Sequence, residues 1–583
     1  MISVMKKLGW FFRMEWKRYT IAIILLTTCG VIEILPPMMV GRFIDQIQSG
    51  ALSWDRVMVT LFQLGGITIV VYVLSYIWMY QLFGGSFVVE RILRSRLMRH
   101  FLKMTPTFYE RNRTGDLMAR ATNDLRAVSN TAGFGILTLI DSTLWMATLL
   151  FIMTVFVSWK LTLAAIIPLP LMALLFSLLG KRIHQKYSDA QQAFGDMNDG
   201  VLETISGIRV IRAYVQERAA EKQFSDVTED VLQKNLAVVR IDSLFEPITK
   251  ILVGVSYLIG LGYGAYLVFH NELTVGGLVA FNVYLGMLIW PMFAIGELIN
   301  IMQRGNASLD RVYETMGSKV DVREPQEPQI VNQPGKIQFE QVTFRYPKSS
   351  VDNLTNISFS LEPGQTIGIV GRTGSGKTTL VKQLLREYPA GSGRVSISGV
   401  AIDQIGMDEL KSWFGYVPQE QFLFSRTIRS NILFGKEQAS DAELERSMAA
   451  SAFQKDVAYL PSGLKTLVGE KGVALSGGQK QRVSIARAMI ADPQILILDD
   501  AMSAVDARTE AEIIANIRQT RAGKTTIITT HRLSAVKHAD WILVLDEGVI
   551  TEQGIHAELV KQNGWYAEQF QRQQVEAILE EGS

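Results

Sequence analysis

The sequence holds a single cysteine, Cys29, set in an apolar run, so no intrachain disulfide staples the fold and the redox compartment stays open. Neither sign of charge is in excess. The 58 Lys and Arg against 56 Asp and Glu leave a formal +2, too near neutral for the basic footprint of a nucleic-acid binder. No low-complexity tract appears. No A-x-A-like site closes the first apolar segment, so the leading residues are read as retained rather than removed as a signal peptide. Long uncharged runs are missing from the second half alone. With 48% hydrophobic residues overall, the 583-residue chain therefore reads as a membrane part followed by a soluble part.

The first residues mix Lys6, Lys7, Arg13, Lys17 and Arg18 with Trp10, Phe11, Phe12 and Trp16, a pattern that suits a helix lying in the membrane interface. Six segments then approach the roughly 20 apolar residues needed to cross a bilayer: 19–40, 58–83, 134–158, 161–179, 248–269 and 275–301. The connections after the second and fourth spans are long, amphipathic and rich in Arg and Lys. The links near 157–160 and 270–274 are short and nearly free of such charge, so the long connections are expected in the cytoplasm and both termini inside. Each long connection contains a break, at 108–116 and at 207–214, that reads either as a short transverse helix or as an ordinary solvated turn. Within the spans, Glu33, Asp141 and Glu297 are ionisable where charge is expensive. They read as contacts for a transported, cationic solute or as hydrogen-bonding groups between helices. Pro36, Pro37, Pro168, Pro170 and Pro291 locally break spans, which a bundle tolerates.

From 319 to 335 the chain turns polar and proline-rich and reads as a linker between a membrane domain at 1–318 and a soluble domain at 336–583. In that soluble part an apolar strand at 366–370 runs into Gly371-Arg372-Thr373-Gly374-Ser375-Gly376-Lys377-Thr378 and then into a helix beginning near Thr379. Strand, glycine loop and helix in that order make a phosphate cradle. Glycines let successive N–H groups converge on anionic oxygens, the helix N-terminus adds its positive end, and Lys377 supplies a mobile charge. The Thr378 hydroxyl is placed to meet Mg²⁺. Ile495-Leu496-Ile497-Leu498-Asp499 is an apolar strand ending in a carboxylate, the expected second metal-site group.

Leu475-Ser476-Gly477-Gly478-Gln479 opens another helix with a hydroxyl and backbone donors, a second phosphate-binding surface. This stretch resembles the signature of ATP-binding cassette (ABC) proteins, in which each signature caps the nucleotide held by the partner's glycine loop. The resemblance extends over essentially the whole chain and implies an exporter half-transporter: six transmembrane helices with long cytoplasmic extensions, followed by an α/β P-loop ATPase domain. It further implies that Tyr346 stacks on adenine, that Gln419 is the Q-loop residue beside the metal, that Ser503-Ala504-Val505-Asp506 is the D-loop, and that His531 is the switch histidine. ATP and Mg²⁺ are the implied cofactors. The breaks around Tyr109, Glu110, Gly115 and Asp116 and around Arg209, Arg212 and Tyr214 become coupling segments, the second docking on the partner's cassette. The multi-pass chain is placed in the cytoplasmic membrane with its cassette inside.

One position departs from the family pattern. A glutamate is expected directly after Asp499 to polarise the attacking water, and this chain has Asp500. Losing a methylene retracts the carboxylate by about 1.5 Å, and misplacement near 1 Å can lower a rate on the order of a hundredfold. The pattern resembles the degenerate-site subunit of bacterial heterodimeric multidrug exporters of the BmrC/BmrD kind. That resemblance implies a partner half-transporter with the catalytic glutamate and a weakened signature, and a small amphipathic substrate, with no nucleic acid involved. A homodimeric lipid or peptide exporter and a non-hydrolysing regulatory subunit stand as alternatives; no peptidase-like domain precedes the first span.

Overall fold

The computed structural model describes residues 2–469 and 475–581, with the side chains at positions 2, 169, 170, 173, 174, 176, 177, 181 and 577–581 outside the description. Two compact units divide the chain: Met1–Phe101 with Gly115–Gly317, and Leu102–Thr114 with Ser318–Ser583. The short stretch Leu102–Thr114 thus groups with the soluble part although it interrupts the membrane part.

The first unit is helical throughout. Five of its helical stretches are long and apolar enough to cross a membrane, among the described residues: Trp16–Gln48, Trp54–Lys103, Thr114–Ile166, Glu217–Phe269 and Val275–Met316. The helix Pro168–Ser206 carries most of the remaining apolar run read from the sequence. The helix Trp54–Lys103 has 50 residues, about 75 Å at 1.5 Å per residue, so it continues far beyond a hydrocarbon layer of roughly 30 Å. Phe62, Ile69 and Tyr72 are exposed along it, as a lipid-facing surface requires.

Prolines place several of the breaks. Pro36 and Pro37 lack the N–H groups that would continue the helix Trp16–Glu33, and Leu35–Gln48 starts afresh there. Beside the break, the Tyr284 hydroxyl donates to the Ile34 carbonyl at 2.7 Å and ties this turn to the helix Val275–Met287. Leu35–Gln48 then lies directly against Val275–Met287. There the Asp45 carboxylate accepts from the Gly276 amide at 2.7 Å, and a Cβ on Gly276 would stand 1.8 Å from the Gly41 carbonyl oxygen.

The leading segment forms two short helices, Ile2–Lys7 and Gly9–Met14. Val4, Leu8 and Phe11 are fully buried, and Trp10 donates to the Tyr313 hydroxyl at 3.1 Å, so part of this segment packs on the last helix of the unit. Trp16 stays exposed.

The second unit is built on two sheets. The first has strand order β2-β1-β4-β5, with β1 Ile337–Phe344, β2 Leu354–Leu361, β4 Ser392–Ile397 and β5 Val400–Ala401, all antiparallel. The other runs β10-β9-β3-β8-β7-β6, with β3 Thr366–Gly371, β6 Phe414–Val417, β7 Ile495–Asp499, β8 Thr525–Thr529, β9 Trp541–Asp546 and β10 Val549–Gly554. Its strands are parallel except β10. Strands β7 and β8 are buried at every position, as their unbroken apolar and threonine runs demand of a sheet covered on both faces. A separate helical cluster around Ile428, Leu444, Phe453 and Val483 carries the helix Gly477–Met489. The tail at 576–581, which reads from sequence as a frayed end, continues the helix Trp565–Glu581.

Substituting Gly276 by Ala is expected to destabilise the first unit by about 1–3 kcal/mol through overpacking, while Gly65→Ala, where an added Cβ meets nothing within 4 Å, leaves it unchanged. Thermal unfolding of the detergent-solubilised chain, followed by intrinsic fluorescence, checks the pair.

Candidate functional site

The glycine loop turns sharply between β3 and the helix Lys377–Leu384 because Gly371, Gly374 and Gly376 take φ of 148°, 85° and 103°. Glycine is required at two of these by space as well as by angle. A Cβ on Gly371 would lie 2.1 Å from the Leu545 carbonyl, and one on Gly376 would lie 2.8 Å from the Asn353 carbonyl. The Ser375 hydroxyl is buried in the loop with no hydrogen-bond partner among the described residues. Lys377 folds back so that its ammonium donates to the carbonyls of Gly371 at 2.9 Å and Arg372 at 2.8 Å. Burial pushes this lysine below its ordinary range, against the opposing pull of Asp500 and Asp499. Arg372 and Thr373 are exposed at the loop's tip.

Parallel pairing brings together two of the residues expected at the metal, Thr378 and Asp499. Asp499 ends β7, Thr529 ends β8, and β8 lies beside β3, so the first turn after the loop meets both. The Asp499 side chain is fully buried and accepts from Thr378 at 3.0 Å, from Thr529 at 2.6 Å and from Tyr416 at 3.4 Å. Burial pushes its carboxyl up from the usual range. A hydroxyl and a carboxylate side by side are the hard oxygen donors that Mg²⁺ takes. With the positive-φ loop and the orphaned Ser375 hydroxyl beside them, the residues fit a nucleotide phosphate and its metal.

Asp500 follows in the left-handed region at φ 47°, its amide donating to the Thr529 carbonyl at 2.9 Å. Its carboxylate stands 3.0 Å from Nδ1 of His531, itself exposed. Gln419 is exposed beyond β6, its carbonyl accepting from Gln421 at 2.8 Å, and it is not among the groups bonded to Asp499. The Tyr346 hydroxyl donates to Thr379 at 3.2 Å, and its ring meets Tyr388 edge-on with centroids 5.0 Å apart.

The signature lies elsewhere on the unit. Ser476 accepts from the Gln479 amide at 3.3 Å while its own amide donates to the Gln479 side chain at 3.0 Å. This reciprocal cap starts the helix Gly477–Met489 and leaves Ser476 and Gly477 exposed and Gly478 half-buried. Asp456 holds the following turn through Gln479 at 3.2 Å and Arg482 at 2.7 Å. Two residues that no sequence motif singled out tie this helix to the D-loop. Buried Gln481 donates to the Ser503 hydroxyl at 3.0 Å and accepts from the Ala504 amide at 2.9 Å. Arg532, next to His531, donates to the Val505 carbonyl and to Glu510, both at 2.8 Å. The only sequence signals for these were their neighbours Gln479 and His531.

The break that the resemblance reads as the first coupling segment forms the helix Pro106–Arg111. Thr107 and Phe108 are buried, the Glu110 carboxylate accepts from the Tyr388 hydroxyl, and the Glu110 carbonyl accepts from Lys348. Tyr109 is exposed; Gly115 and Asp116 lie in the next helix, Thr114–Ala119. The second segment, Ile208–Ala213, buries none of its residues, and Arg209, Arg212 and Tyr214 are all exposed. In the first unit Glu33 and Asp141 line one cavity of about 250 Å³. Glu297 is not among its lining residues and stands 3.7 Å from Arg304.

Comparison with known proteins places both halves. The model of the ABC transporter transmembrane region matches residues 19–292, and that of the ABC transporter matches residues 354–503. The chain is 60% identical over 583 residues, the full length of both, to the probable multidrug resistance ABC transporter ATP-binding/permease protein YheI of Bacillus subtilis. It is 39% identical to the multidrug resistance-like ATP-binding protein MdlA of Escherichia coli, over 99% of this chain and 97% of that one. A solved bacterial Atm1-family ABC exporter with ATP bound superposes with a TM-score of 0.79 at 26% identity, covering 96% of this chain and 99% of its own.

Replacing Gln481 by Leu leaves the Ala504 amide and the Ser503 hydroxyl without their partner, which is expected to lower stability of the soluble unit by about 1–3 kcal/mol. The variant's melting temperature tests this. Tyr388→Phe removes the bond to Glu110 while keeping the ring against Tyr346; stimulation of ATPase activity by transported compound is expected to fall while nucleotide affinity, measured by fluorescence titration, holds.

Proposed function

This chain belongs to the ABC transporter family, an exporter-type membrane domain followed by an ABC ATPase domain, and from that premise we propose that it is one half of a heterodimeric exporter of amphipathic drug-like compounds. The names of its relatives support the substrate class, since both YheI and MdlA are described by multidrug resistance. In this reading residues 1–318 form the membrane domain, 319–335 the linker and 336–583 the cassette, with both termini on the cytoplasmic side. The loop from Gly371 to Thr379 cradles the phosphates, Tyr346 faces the base, Thr378, Gln419 and Asp499 surround the metal, and His531 faces the terminal phosphate. ATP with Mg²⁺ supplies the phosphoryl group whose hydrolysis resets the transporter.

The heterodimer reading is carried by Asp500. A shift of backbone is the one way an aspartate reaches a water that glutamate normally polarises, and here the Asp500 amide is tied to the Thr529 carbonyl at 2.9 Å. The carboxylate reaches instead to His531 at 3.0 Å. Nucleotide binding is retained and hydrolysis at this loop is impaired. The exposed Ser476 and Gly477, with Gly478 and Gln479 behind them, complete a competent site on a partner that carries the glutamate. The exposed second coupling segment, with Val210 and Tyr214 bare at its tip, reaches the partner's cassette.

The same observation favours a second reading, a regulatory subunit that binds ATP and only gates its partner. Asp500→Glu separates the two. Restored turnover with transport retained favours a tuned transporter half; unchanged turnover favours the regulatory role. For the chain purified alone, Asp500→Glu is expected to raise steady-state ATPase activity on the order of a hundredfold. Multiple-turnover hydrolysis by the wild-type chain alone at a rate comparable to a transporter with glutamates at both sites sinks the degenerate-site reading.

A further inference from the structure

The last helix of the second unit, Trp565–Glu581, lies against the turn that follows His531. Its start is fixed by Glu552 of β10, whose carboxylate accepts from the amides of Trp565 at 2.6 Å and Tyr566 at 3.3 Å; an anion is stabilised at that end of a helix. Tyr566 is fully buried in the core cluster that also holds Leu533 and Val536, and its hydroxyl lies 2.8 Å from Nδ1 of His556. Phe570, one turn further on, packs on the same cluster. So anchored, the helix brings Gln573 to the turn.

Gln573 is half-buried and uses both ends of its amide. The nitrogen donates to the His531 carbonyl at 2.8 Å, and the oxygen accepts from the Leu533 amide at 2.8 Å. These two bonds bracket Arg532, whose guanidinium donates to the D-loop carbonyls of Ser503 and Val505. The His531 ring is exposed, with the Asp500 carboxylate 3.0 Å from its Nδ1. Little packing holds such a ring, so the main chain that bears it sets where it stands. At position 573 glutamate would lack the donor, and asparagine would fall a methylene short.

We propose that Gln573 is a positioning residue for His531: the C-terminal helix clamps the main chain on both sides of Arg532 and so sets the imidazole toward the terminal phosphate. The proposal rests on the reading that His531 faces that phosphate. It gives a helix without any nucleotide motif a part in turnover.

The test uses the full chain in lipid nanodiscs with Asp500→Glu as the background and ATP hydrolysis as one readout. Gln573→Ala is expected to lower kcat roughly tenfold, with KM and the melting temperature unchanged, and Gln573→Glu, which keeps only the acceptor for Leu533, falls between. In a chain that already carries His531→Ala, adding Gln573→Ala is expected to change nothing, because the group it positions is gone. An unchanged kcat in Gln573→Ala, or the same fractional loss with and without His531, overturns the clamp while the role of His531 stands. If His531→Ala alone leaves kcat unchanged, that role and the clamp fall together. Hydrogen exchange read by mass spectrometry on the peptide 530–536 of the otherwise wild-type chain supplies the second measurement. Exchange at the Leu533 amide is expected to quicken on the order of tenfold in Gln573→Ala, with strand β7 unaffected. Unchanged exchange overturns the clamp whatever the turnover, and should Gln573→Ala melt early, Gln573→Glu decides by its kcat. If the Asp500→Glu chain does not turn over at all, quickened exchange supports the clamp and the silence counts against the degenerate-site reading.

Discussion

The soluble unit depends on a backbone path that only glycine follows, held between strands in parallel register. Gly371 leaves β3 at φ 148° with its Cα against the Leu545 carbonyl of β9, and Gly376 enters the next helix at φ 103° against Asn353. Because β3 is clamped between β8 and β9, the loop has fixed ends. The first helical turn then delivers Thr378 to Asp499 at 3.0 Å. Side chains at Gly371 or Gly376 would displace the carbonyls of Leu545 and Asn353, and the placement of Thr378 against Asp499 would go with them.

A second constraint is the buried polar latch around the D-loop. Gln481 and Arg532, the latter braced by Glu510, hold Ser503, Ala504 and Val505 in place. Each bond satisfies a backbone or side-chain group that burial would otherwise leave bare, so the network holds together or fails together. It also links three segments that sequence reading treats separately: the signature helix, the D-loop and the turn bearing His531. A movement of the signature helix has a direct mechanical route to the residue beside His531.

The membrane part obeys a different rule, since its backbone must satisfy itself. Beside the break at Pro36 and Pro37, the Tyr284 hydroxyl donates to the Ile34 carbonyl. Where a helix starts after a short link, Ser158 and Thr274 cap it with their hydroxyls. The helices also widen to π-turns at Arg120–Asp124, Asp141–Trp145 and Met153–Ser158, and the second of these contributes Asp141 and Trp145 to the wall of the cavity.

The sequence by itself determined what is local: the glycine loop, the apolar strand ending at Asp499, the capping pattern of Ser476 with Gln479, the apolar runs and the prolines that break them. Each rests on residue types at short spacing, where backbone geometry and periodicity act without help from distant parts. Asp500 belongs here too, legible as a missing methylene next to Asp499. Tertiary structure alone decided what depends on strand order and helix packing. The pairing of β3, β8 and β7 brings Thr378 to Thr529 and Asp499, residues more than a hundred positions apart, and no spacing encodes that neighbour. Tyr388, Gln481 and Arg532 carry no motif because their roles come from what folds against them. The acids divided the same way: all three are visible as charges in apolar runs, but only helix packing puts Glu33 and Asp141 into one cavity, whereas Glu297 stands near Arg304 two turns along its own helix.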